Sequence, residues 1–388
     1  MSENYLKHYE MELIVLSPVY IGSGEKIGKK EYIFLPFKKR VLVPDLGKMY
    51  TDLMKKRADR EYQEYMLEDT PIPLGIWLKD HKFTMQDYQS WTKYEMNSGD
   101  ALLGNGGKQG RTHEIQCFIK DAYGMPYIPG SSIKGMIRSA LLAYEVKKNP
   151  KKYENIKQDI LSNIGNKASR TEFLQKVQKE DLEFLQKEDL ELETMVFHTL
   201  NREGQKRENA VNSIMAGIIV GDSSPIDPKR LTLSQKIDYT LSKTERTFPL
   251  LRETIMPKTR VPFELTIDTQ ICQYKIEDIK AALELFNEIC YERFYSHFGR
   301  GDNRKGIVWI GGGVGYLSKT VIYSLFDREA VQVAQGIFKG TLSEKIFRQH
   351  KHDKDRSLGV SPHVCKCTRY NNQLYDMGRC QLRVLKRE

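Results

Sequence analysis

The segment YIPGSSIKGMIR, residues 127–138, places a proline–glycine turn, two hydroxyl side chains and two cations at the start of an apolar helical pattern. Ser131 or Ser132 can cap the helix, and Lys134 and Arg138 are four residues apart, on one helical face. A helix start offers unpaired N–H groups and positive dipole charge, which favour phosphate. The segment predicts a binding site for a nucleic-acid backbone, although an amphipathic helix with two solvated cations explains the same spacing.

Two later segments are rich in glycine, HFGRGDNRKG at residues 297–306 and WIGGGVG at residues 309–315. Glycines let a main chain approach a ligand closely, and successive N–H groups can form a nest for an anion. Arg300, Arg304 and Lys305 add positive charge. The residue order of a P-loop or of a dinucleotide-binding turn is absent, which argues against an ATPase or a dehydrogenase. Phosphate binding and a plain glycine bulge between strands both stay open.

A third loop, YIGSG at residues 20–24, follows the first apolar run of the chain. Gly22, Ser23 and Gly24 allow this loop to lie against a second backbone, as a nucleic-acid site requires. A simple turn is the preferred explanation unless other segments support a binding role.

The C-terminal part contains several residues of the types that bind metals: His350, His352, His363, Cys365, Cys367 and Cys380. Structural zinc sites usually take ligand pairs two to four residues apart. The run H-x-C-x-C is crowded, and we expect alternate residues of a strand to point to opposite faces. The sequence therefore predicts no metal site, and no segment predicts a cofactor.

Metal-free RNA cleavage needs a histidine that acts as acid or base near the scissile phosphate. His297, beside the Arg300 cluster, is the best candidate, and His113 is the next. A lone histidine at a helix end more often caps or packs, and turn chemistry explains the two aspartates of GDSSPID at residues 221–227. The sequence therefore predicts no catalytic residue.

The composition limits the class of protein. The 388 residues suit two domains with insertions, and 40% apolar residues suffice for a core. No stretch reaches the roughly 20 apolar residues that cross a bilayer, and the start does not resemble a signal peptide, so we expect a cytoplasmic protein without membrane contact. The six cysteines form no C-x-x-C pair and are expected to be reduced. The net charge of +10, with an excess of cations from Lys345 onward, favours a polyanionic partner.

The apolar periodicity predicts the elements that position these segments. Strands are expected at residues 11–17, 31–35, 41–43, 214–220 and 261–269, and helices from Asp45, from Ser131 and over 276–295. Insertions are expected at about 57–120, with a flexible glycine-rich loop at 97–111, and at about 146–210, with an acidic helical arm. The order strand, helix, strands, helix, strand occurs about twice. This order is typical of an α+β protein with two ferredoxin-like domains, here 1–225 and 226–388.

Together these segments resemble the RAMP superfamily of CRISPR-associated proteins, through SPVYIGSG after the first strand, YIPGSSIKGMIR and a late IGGGVGYLSKT. The closing SPHVCKCTRYNNQLYDMGRCQLRVL resembles one branch of that superfamily, the fifth subunits of type III-A Csm complexes. The motifs span residues 13–385. The residues that match the family's binding motifs are Gly130, Ser131, Ser132, Lys134, Gly135 and Arg138 in the helix, and Gly311, Gly312, Gly313 and Gly315 in the late loop; Lys319, just after that loop, is a further candidate for RNA binding. Three consecutive glycines depart from the family's alternating pattern in that loop.

The resemblance implies two ferredoxin-like (RRM-like) domains with helical insertions. It also implies a non-catalytic subunit that binds the guide (crRNA), caps the backbone filament at the crRNA 3′ end and is needed for crRNA maturation in antiviral defence. The implied partners are crRNA, the backbone RAMP subunits of the Csm complex and host nucleases that trim the guide. Two alternatives stay open: a metal-independent RAMP endoribonuclease that processes precursor crRNA, and an assembly factor that contacts proteins only.

The residues themselves favour a protein that follows an RNA backbone. Cations, N–H groups and flexible glycine loops contact phosphates and carry no base specificity. The aromatic RNP1 signature of an RNA-recognition motif is absent, so the sequence does not predict base-specific stacking.

Overall fold

A computed structural model describes residues 5–102, 112–168 and 191–387. The glycine-rich loop expected at 97–111 lies outside the described residues from residue 103 onward, and most of the acidic arm, 169–190, also lies outside them. The strands of the described chain are β1 (Leu6–Val15), β2 (Gly22–Ile27), β3 (Ile33–Leu35), β4 (Arg40–Pro44), β5 (Thr92–Asn97), β6 (Ile115–Phe118), β7 (Ile218–Val220), β8 (Leu231–Thr240), β9 (Glu245–Ile255), β10 (Arg260–Asp268), β11 (Ile307–Trp309), β12 (Val364–Tyr370), β13 (Gln373–Asp376) and β14 (Arg379–Arg387).

Helices account for much of the remaining chain. They are α1 (Leu46–Lys55), α2 (Asp59–Leu67), α3 (Leu74–Asp80), α4 (Met85–Trp91), α5 (Gly130–Lys148), α6 (Glu154–Ala168), α7 (191–197), α8 (Ile276–Arg293), α9 (Ile322–Phe326), α10 (Ala330–Thr341), α11 (Glu344–Gln349) and α12 (Asp355–Leu358). No helix of the described ranges is long and apolar enough to span a bilayer.

The first sheet has the strand order β11-β14-β1-β10-β7, and all its neighbouring strands are antiparallel. The helices α5 and α8 pack against each other; α5 lies in the chain between β1 and β7, and α8 between β10 and β14. Without the edge strand β11, the order is fourth, first, third, second, with a helix after the first and third strands. This is the ferredoxin-like arrangement.

Alternate residues of β1 and one stripe of α5 form the centre of the main core. On β1 the side chains of Tyr9, Met11, Leu13 and Val15 are buried, as the two-residue period of a strand requires. Helical spacing buries a matching stripe on α5, which includes Ile133, Ile137, Leu141 and Leu142. Because such side chains are fully enclosed, truncating one leucine to alanine costs about 2–5 kcal/mol.

The second sheet has nine strands in the order β2-β6-β9-β8-β5-β4-β3, with β12 also paired to β8 and β13 paired to β12. It is mixed, because β6 with β9 and β5 with β8 run parallel while the other pairs are antiparallel. All of its strands come from segments that lie between the strands of the first sheet in sequence. The loop at 20–24 leads into β2 of this sheet, and the loop at 311–315, which follows β11 of the first sheet, lies against it.

The helices α1–α4 form a small cluster with an apolar core of their own. Its buried side chains include Met49, Leu53, Trp77, Leu78 and Trp91, and Ile33 and Leu42 of the second sheet join the same cluster. Asp45 caps α1 by accepting a hydrogen bond from the Lys48 N–H, as the sequence predicted for a helix that begins there.

The predicted α+β class, with a ferredoxin-like arrangement and helical insertions, is confirmed. Each sheet contains strands from both sides of residue 225, so hydrogen bonds cross the predicted boundary between domains, and the boundary itself stays a prediction. The hairpin of β8 and β9 was not predicted. All six cysteines are buried free thiols.

Candidate nucleic-acid interface

The glycine loops at 20–24 and 311–315 are brought together in the structure, although nearly 300 residues separate them. The Gly312 N–H donates a hydrogen bond to the Tyr20 carbonyl oxygen at 2.9 Å. Gly311 has a φ of +95°, and a Cβ atom there would lie 2.3 Å from the same oxygen. Only glycine permits this backbone approach, so the late loop is held against the early one.

Four cations lie beside these loops on one face of the second sheet: Lys236, Arg246, Arg252 and Lys366. We call them the basic face. In the antiparallel ladders Asp238 pairs with both Arg246 of β9 and Lys366 of β12. The ladder of β8 and β9 is irregular between Gln235 and Ile237, and Lys236 joins this set because its Nζ lies over the same Phe248 ring as Arg246 Cζ.

Like charges accumulate on the basic face. Burial lowers the pKa of Lys236, and the positive charges of Lys366, Arg252 and Arg246 lower it further against the opposing effect of Asp238. Asp238 is the carboxylate that faces this group, and it accepts a hydrogen bond from Lys366 Nζ at 2.9 Å. Four cations against one carboxylate leave an excess of positive charge, which a polyanion would compensate.

Two aromatic rings lie between the cations. Lys236 Nζ lies 4.4 Å from the centroid of the Phe248 ring, and Arg246 Cζ lies 5.0 Å from it. Arg252 Cζ lies 5.0 Å from the centroid of the Tyr20 ring. Alternating cations and aromatic rings can hold a single-stranded nucleic acid by phosphate contacts and base stacking.

The glycine loops border this face directly. A Cβ atom at Gly315 would lie 3.3 Å from Lys366 Cγ, so the late loop reaches the cation of β12. Ser23 and Gly24 are exposed at the start of β2, and Lys319 is exposed on the turn after the late loop. The structure therefore gathers two of the four predicted segments around cations that sequence reasoning did not identify.

The helix segment at 127–138 lies elsewhere, and its N-terminus already binds a carboxylate of the chain. The Gly130 N–H donates to Asp222 Oδ1 at 2.7 Å. The expected cap by Ser131 or Ser132 is wrong, because Pro129 occupies the cap position and the side-chain acceptor at the helix start is Asp222. A side chain at Gly130 would meet the Val220 carbonyl oxygen, which explains the glycine by packing.

The two cations of that helix differ in their surroundings. Arg138 is exposed and pairs with Glu193 at 3.4 Å. Lys134 is half-buried, and burial lowers the pKa of its ammonium group. A role for Gly130, Ser131, Ser132, Lys134, Gly135 and Arg138 in RNA binding stays a prediction.

The side chain of Arg300 is mostly buried and bonds to other residues of the chain. Its guanidinium forms an ion pair with buried Asp376 and donates to the Leu374 carbonyl oxygen at 2.9 Å. This geometry commits the Nε and Nη2 groups of the guanidinium to the protein itself, and an RNA-binding role for Arg300 stays a prediction. Arg304 is exposed and bound to Asp302 at 2.6 Å, and Lys305 is exposed.

The two histidines considered for RNA cleavage lie in different local structures. His297 is exposed on a single turn of 3₁₀ helix, and the guanidinium of Arg300, expected beside it, is turned to Asp376. The main-chain carbonyl of His113 accepts a hydrogen bond from the Tyr32 hydroxyl.

The expectation that side chains of alternate residues in the C-terminal strand point to opposite faces of the sheet is wrong. Cys365 and Cys367 are alternate residues of β12, yet both are fully buried on one face, with their Sγ atoms 3.9 Å apart. Residues two apart on a strand share a face, and only adjacent residues oppose each other. His363 lies two residues before Cys365, just before β12 begins. Cys380 lies in the first sheet, paired to Val15 and Val308.

Comparison with known proteins gives consistent matches along the chain. The RAMP superfamily matches residues 12–318. The protein named CRISPR system Cms protein Csm5 from Mycobacterium tuberculosis (strain CDC 1551 / Oshkosh) is 29% identical over 407 residues, which cover 99% of each chain. The protein of that name from Streptococcus thermophilus is 28% identical over 82% of this chain and 81% of its own. A chain of a Csm–crRNA–target RNA ternary complex of a type III-A CRISPR–Cas system has the same fold, with a TM-score of 0.65 and 20% identity over 97% of this chain and 100% of its own.

Proposed function

Because the chain belongs to the RAMP superfamily, as its motifs predicted, we propose that it is a crRNA-binding, non-catalytic subunit of a type III Csm ribonucleoprotein. In this proposal it works in the cytoplasm beside the backbone RAMP subunits. It caps their filament at the crRNA 3′ end and supports the maturation of that end by host nucleases. The relatives named Csm5 and the fold shared with a chain of a Csm–crRNA–target RNA complex support this assignment.

One structural observation carries the proposal: the basic face lies directly beside two glycine loops. A subunit that holds guides of any sequence has to bind the phosphate backbone, because phosphate contacts carry no base information. The four cations supply the charge, and the exposed residues Gly22, Ser23, Gly24 and Gly312 provide backbone that RNA can approach closely. Gly311 and Gly313 pack against Tyr20 and Met377 and so hold the loops in place beside Gly315. Tyr20 and Phe248 provide surfaces on which unpaired bases can stack.

The first test is RNA binding by the purified chain. Replacing Lys236 and Arg246 by alanine removes two cations from the basic face. We expect weaker binding of single-stranded RNA and a shallower dependence of affinity on salt. Each cation that no longer neutralises a phosphate lowers the log–log slope by about 0.7, so the double variant lowers it by about 1.4. Fluorescence anisotropy at a series of salt concentrations measures both quantities.

A matched control is the double substitution of Lys55 and Arg60, which removes the same charge from the helices α1 and α2. Under the proposal it leaves the salt slope nearly unchanged. Equal effects of the two double variants would show that net charge alone governs binding and would contradict a site on the basic face. Replacing Lys134 and Arg138 by alanine tests the helix segment in the same assay.

The capping and maturation roles need the assembled particle. Sequencing the RNA that copurifies with the tagged chain should give guides with one shared 5′ tag and trimmed 3′ ends, together with other Csm subunits. RNA that ends at one position within the repeat and binds this chain alone would favour the endoribonuclease, and His297→Ala should then abolish cleavage. No RNA above background would favour the protein-only assembly factor.

A further inference from the structure

A buried carboxylate holds two imidazoles at the junction between the C-terminal helices and β12. Asp355 is 0% exposed. It accepts a hydrogen bond from His352 Nδ1 at 2.9 Å, from His363 Nδ1 at 2.5 Å and from Ser361 Oγ at 2.6 Å. This group lies outside the basic face, and the proposed function does not use it.

The arrangement has the ligand chemistry of a transition-metal site. One ligand atom each from His352, Asp355 and His363 lies within 4.8 Å of the other two. His352 and Asp355 are three residues apart, the spacing common for zinc ligand pairs, and His363 comes from the approach to β12. Two imidazole nitrogens and one carboxylate oxygen form a set that zinc accepts in proteins.

The surroundings of the group match those of built metal sites. The rings of Phe338 and Phe347 lie 4.6 Å and 5.8 Å from the His352 ring and form an apolar wall. Gln335 Nε2 donates to the His352 carbonyl oxygen at 2.7 Å and so fixes the backbone at this ligand. The hydroxyl of Ser361 orients the carboxylate, the kind of supporting contact that tunes metal ligands. The His363 side chain is 15% exposed, which leaves an entry path for an ion.

We propose that this chain binds one divalent transition-metal ion of the zinc type through His352 Nδ1, His363 Nδ1 and a carboxylate oxygen of Asp355. The ion takes the place of the two N–H···O hydrogen bonds, and each imidazole carries its proton on Nε2 instead. Ligand distances of about 2.0–2.2 Å place tetrahedral donor atoms roughly 3.3 Å apart, so each imidazole nitrogen, now 2.9 Å or 2.5 Å from a carboxylate oxygen, has to move away from it by less than about 1 Å. A water on the exposed side of His363 completes a tetrahedral set.

Bound metal would join the helical segment 344–358 to β12, the strand whose Lys366 belongs to the basic face. The metal therefore acts as a clip that orders one border of the proposed RNA site without contacting RNA.

A second group of donors, Cys365, Cys367 and Asp376, is less suited to a metal. Asp376 already pairs with Arg300 and with Arg379, at 3.5 Å from the latter. Burial raises the pKa of the Cys365 thiol well above its ordinary value, and a metal requires the thiolate. The chain thus offers a control cluster only a few residues from the proposed ligands.

The test uses the full chain, stripped of metal with a chelator and dialysed against Zn²⁺. Elemental analysis should give one zinc per chain, and zinc should raise the melting temperature. His352→Gln and His363→Gln should lower zinc affinity at least tenfold and abolish the thermal shift. His297→Gln, which removes an exposed histidine elsewhere, and Cys367→Ser should leave both readouts unchanged.

Zinc binding that is equal in the wild type and in both ligand variants would overturn the proposal. X-ray absorption at the zinc edge of the wild-type chain gives an independent answer if a variant fails to fold. Nitrogen and oxygen neighbours near 2 Å, as expected from the ligand set, support the site. Sulfur neighbours at about 2.3 Å would assign the ion to the cysteine cluster and refute the site.

Discussion

The close approach of the two glycine loops predicts a large and specific effect of one methyl group. In Gly311→Ala the new Cβ atom would lie 2.3 Å from the Tyr20 carbonyl oxygen, on a residue whose φ is +95°. The left-handed backbone costs an alanine about 1–2 kcal/mol. The new methyl group also pushes against the Tyr20 main chain, which has to shift, and this costs about 1–3 kcal/mol more. We expect the free energy of unfolding to fall by about 2–5 kcal/mol.

Two other glycines separate the contributions. Gly24 has a φ of +89° with open space around its Cβ position, so Gly24→Ala measures the backbone strain alone. Gly312 has no positive φ, and a Cβ atom there would lie 3.4 Å from the Tyr20 ring, an ordinary contact distance. Gly312→Ala therefore introduces neither backbone strain nor a close approach, and it keeps the N–H that donates to the Tyr20 carbonyl oxygen. Urea unfolding of all three variants gives the midpoints and m-values. Equal midpoints for Gly311→Ala and Gly312→Ala would refute the close approach of the loops.

Three further predictions concern other parts of the chain. Lys120 pairs with fully buried Glu253, so Lys120→Met leaves a buried carboxylate without its cation and should lower the free energy of unfolding by about 3–5 kcal/mol. Lys26→Met is the control, because Lys26 forms an exposed pair with Glu114, and it should cost at most about 1 kcal/mol in the same urea assay. Burial raises the pKa of Asp87, but hydrogen bonds from Lys56 and Thr84 outweigh it, so the folded pKa lies below 3.8. The ionised carboxylate therefore stabilises the fold above that value, and this stabilisation is lost as the pH falls through the folded pKa. Between pH 5 and pH 3 the urea midpoint should fall less steeply with pH in Asp87→Asn than in the wild type. Identical slopes for the two proteins would show that Asp87 does not contribute to the acid sensitivity. Phe248→Ala should weaken binding of single-stranded RNA by about 1–3 kcal/mol if one base stacks there, and Phe248→Tyr should preserve it; equal losses in the anisotropy assay would argue against stacking.

The elements with strong apolar periods were predictable. The helices at 130–148 and 276–293 and the strand at 260–268 lie within a few residues of their expected positions, because their buried stripes repeat at the period of the element. The hairpin of β8 and β9 was missed, because the stretches SQK and SKTER contain residues that are depleted in strands. Two of those polar residues, Lys236 and Arg246, belong to the basic face, so the strands were obscured in part by residues that are proposed to bind RNA.

The candidate site was only partly predictable for the same reason. The glycines at 22, 24 and 311–315 were recognised, but their meeting depends on strand pairing over hundreds of residues, which no local pattern encodes. The alternation of Lys236 with Asp238 and of Arg246 with Phe248 was a usable signal for a charged sheet face. At residue 130 the local pattern of a phosphate-binding helix was correct as a helix start, but the anion there is Asp222 of the same chain.

The position of β1 between β10 and β14 has a consequence for synthesis of the protein. Its partners lie at residues 260–268 and 379–387, and β1 itself is the first strand made. At about 5–20 residues per second, roughly 20 to 75 s pass before the last partner is available. For roughly the first 12 to 50 s, until β10 is made, the apolar row of Leu13 and Val15 has no strand to join, and the other edge of β1 stays unpaired until β14 is made. We therefore expect the nascent chain to depend on chaperones that shield its N-terminal segment until β14 completes the sheet.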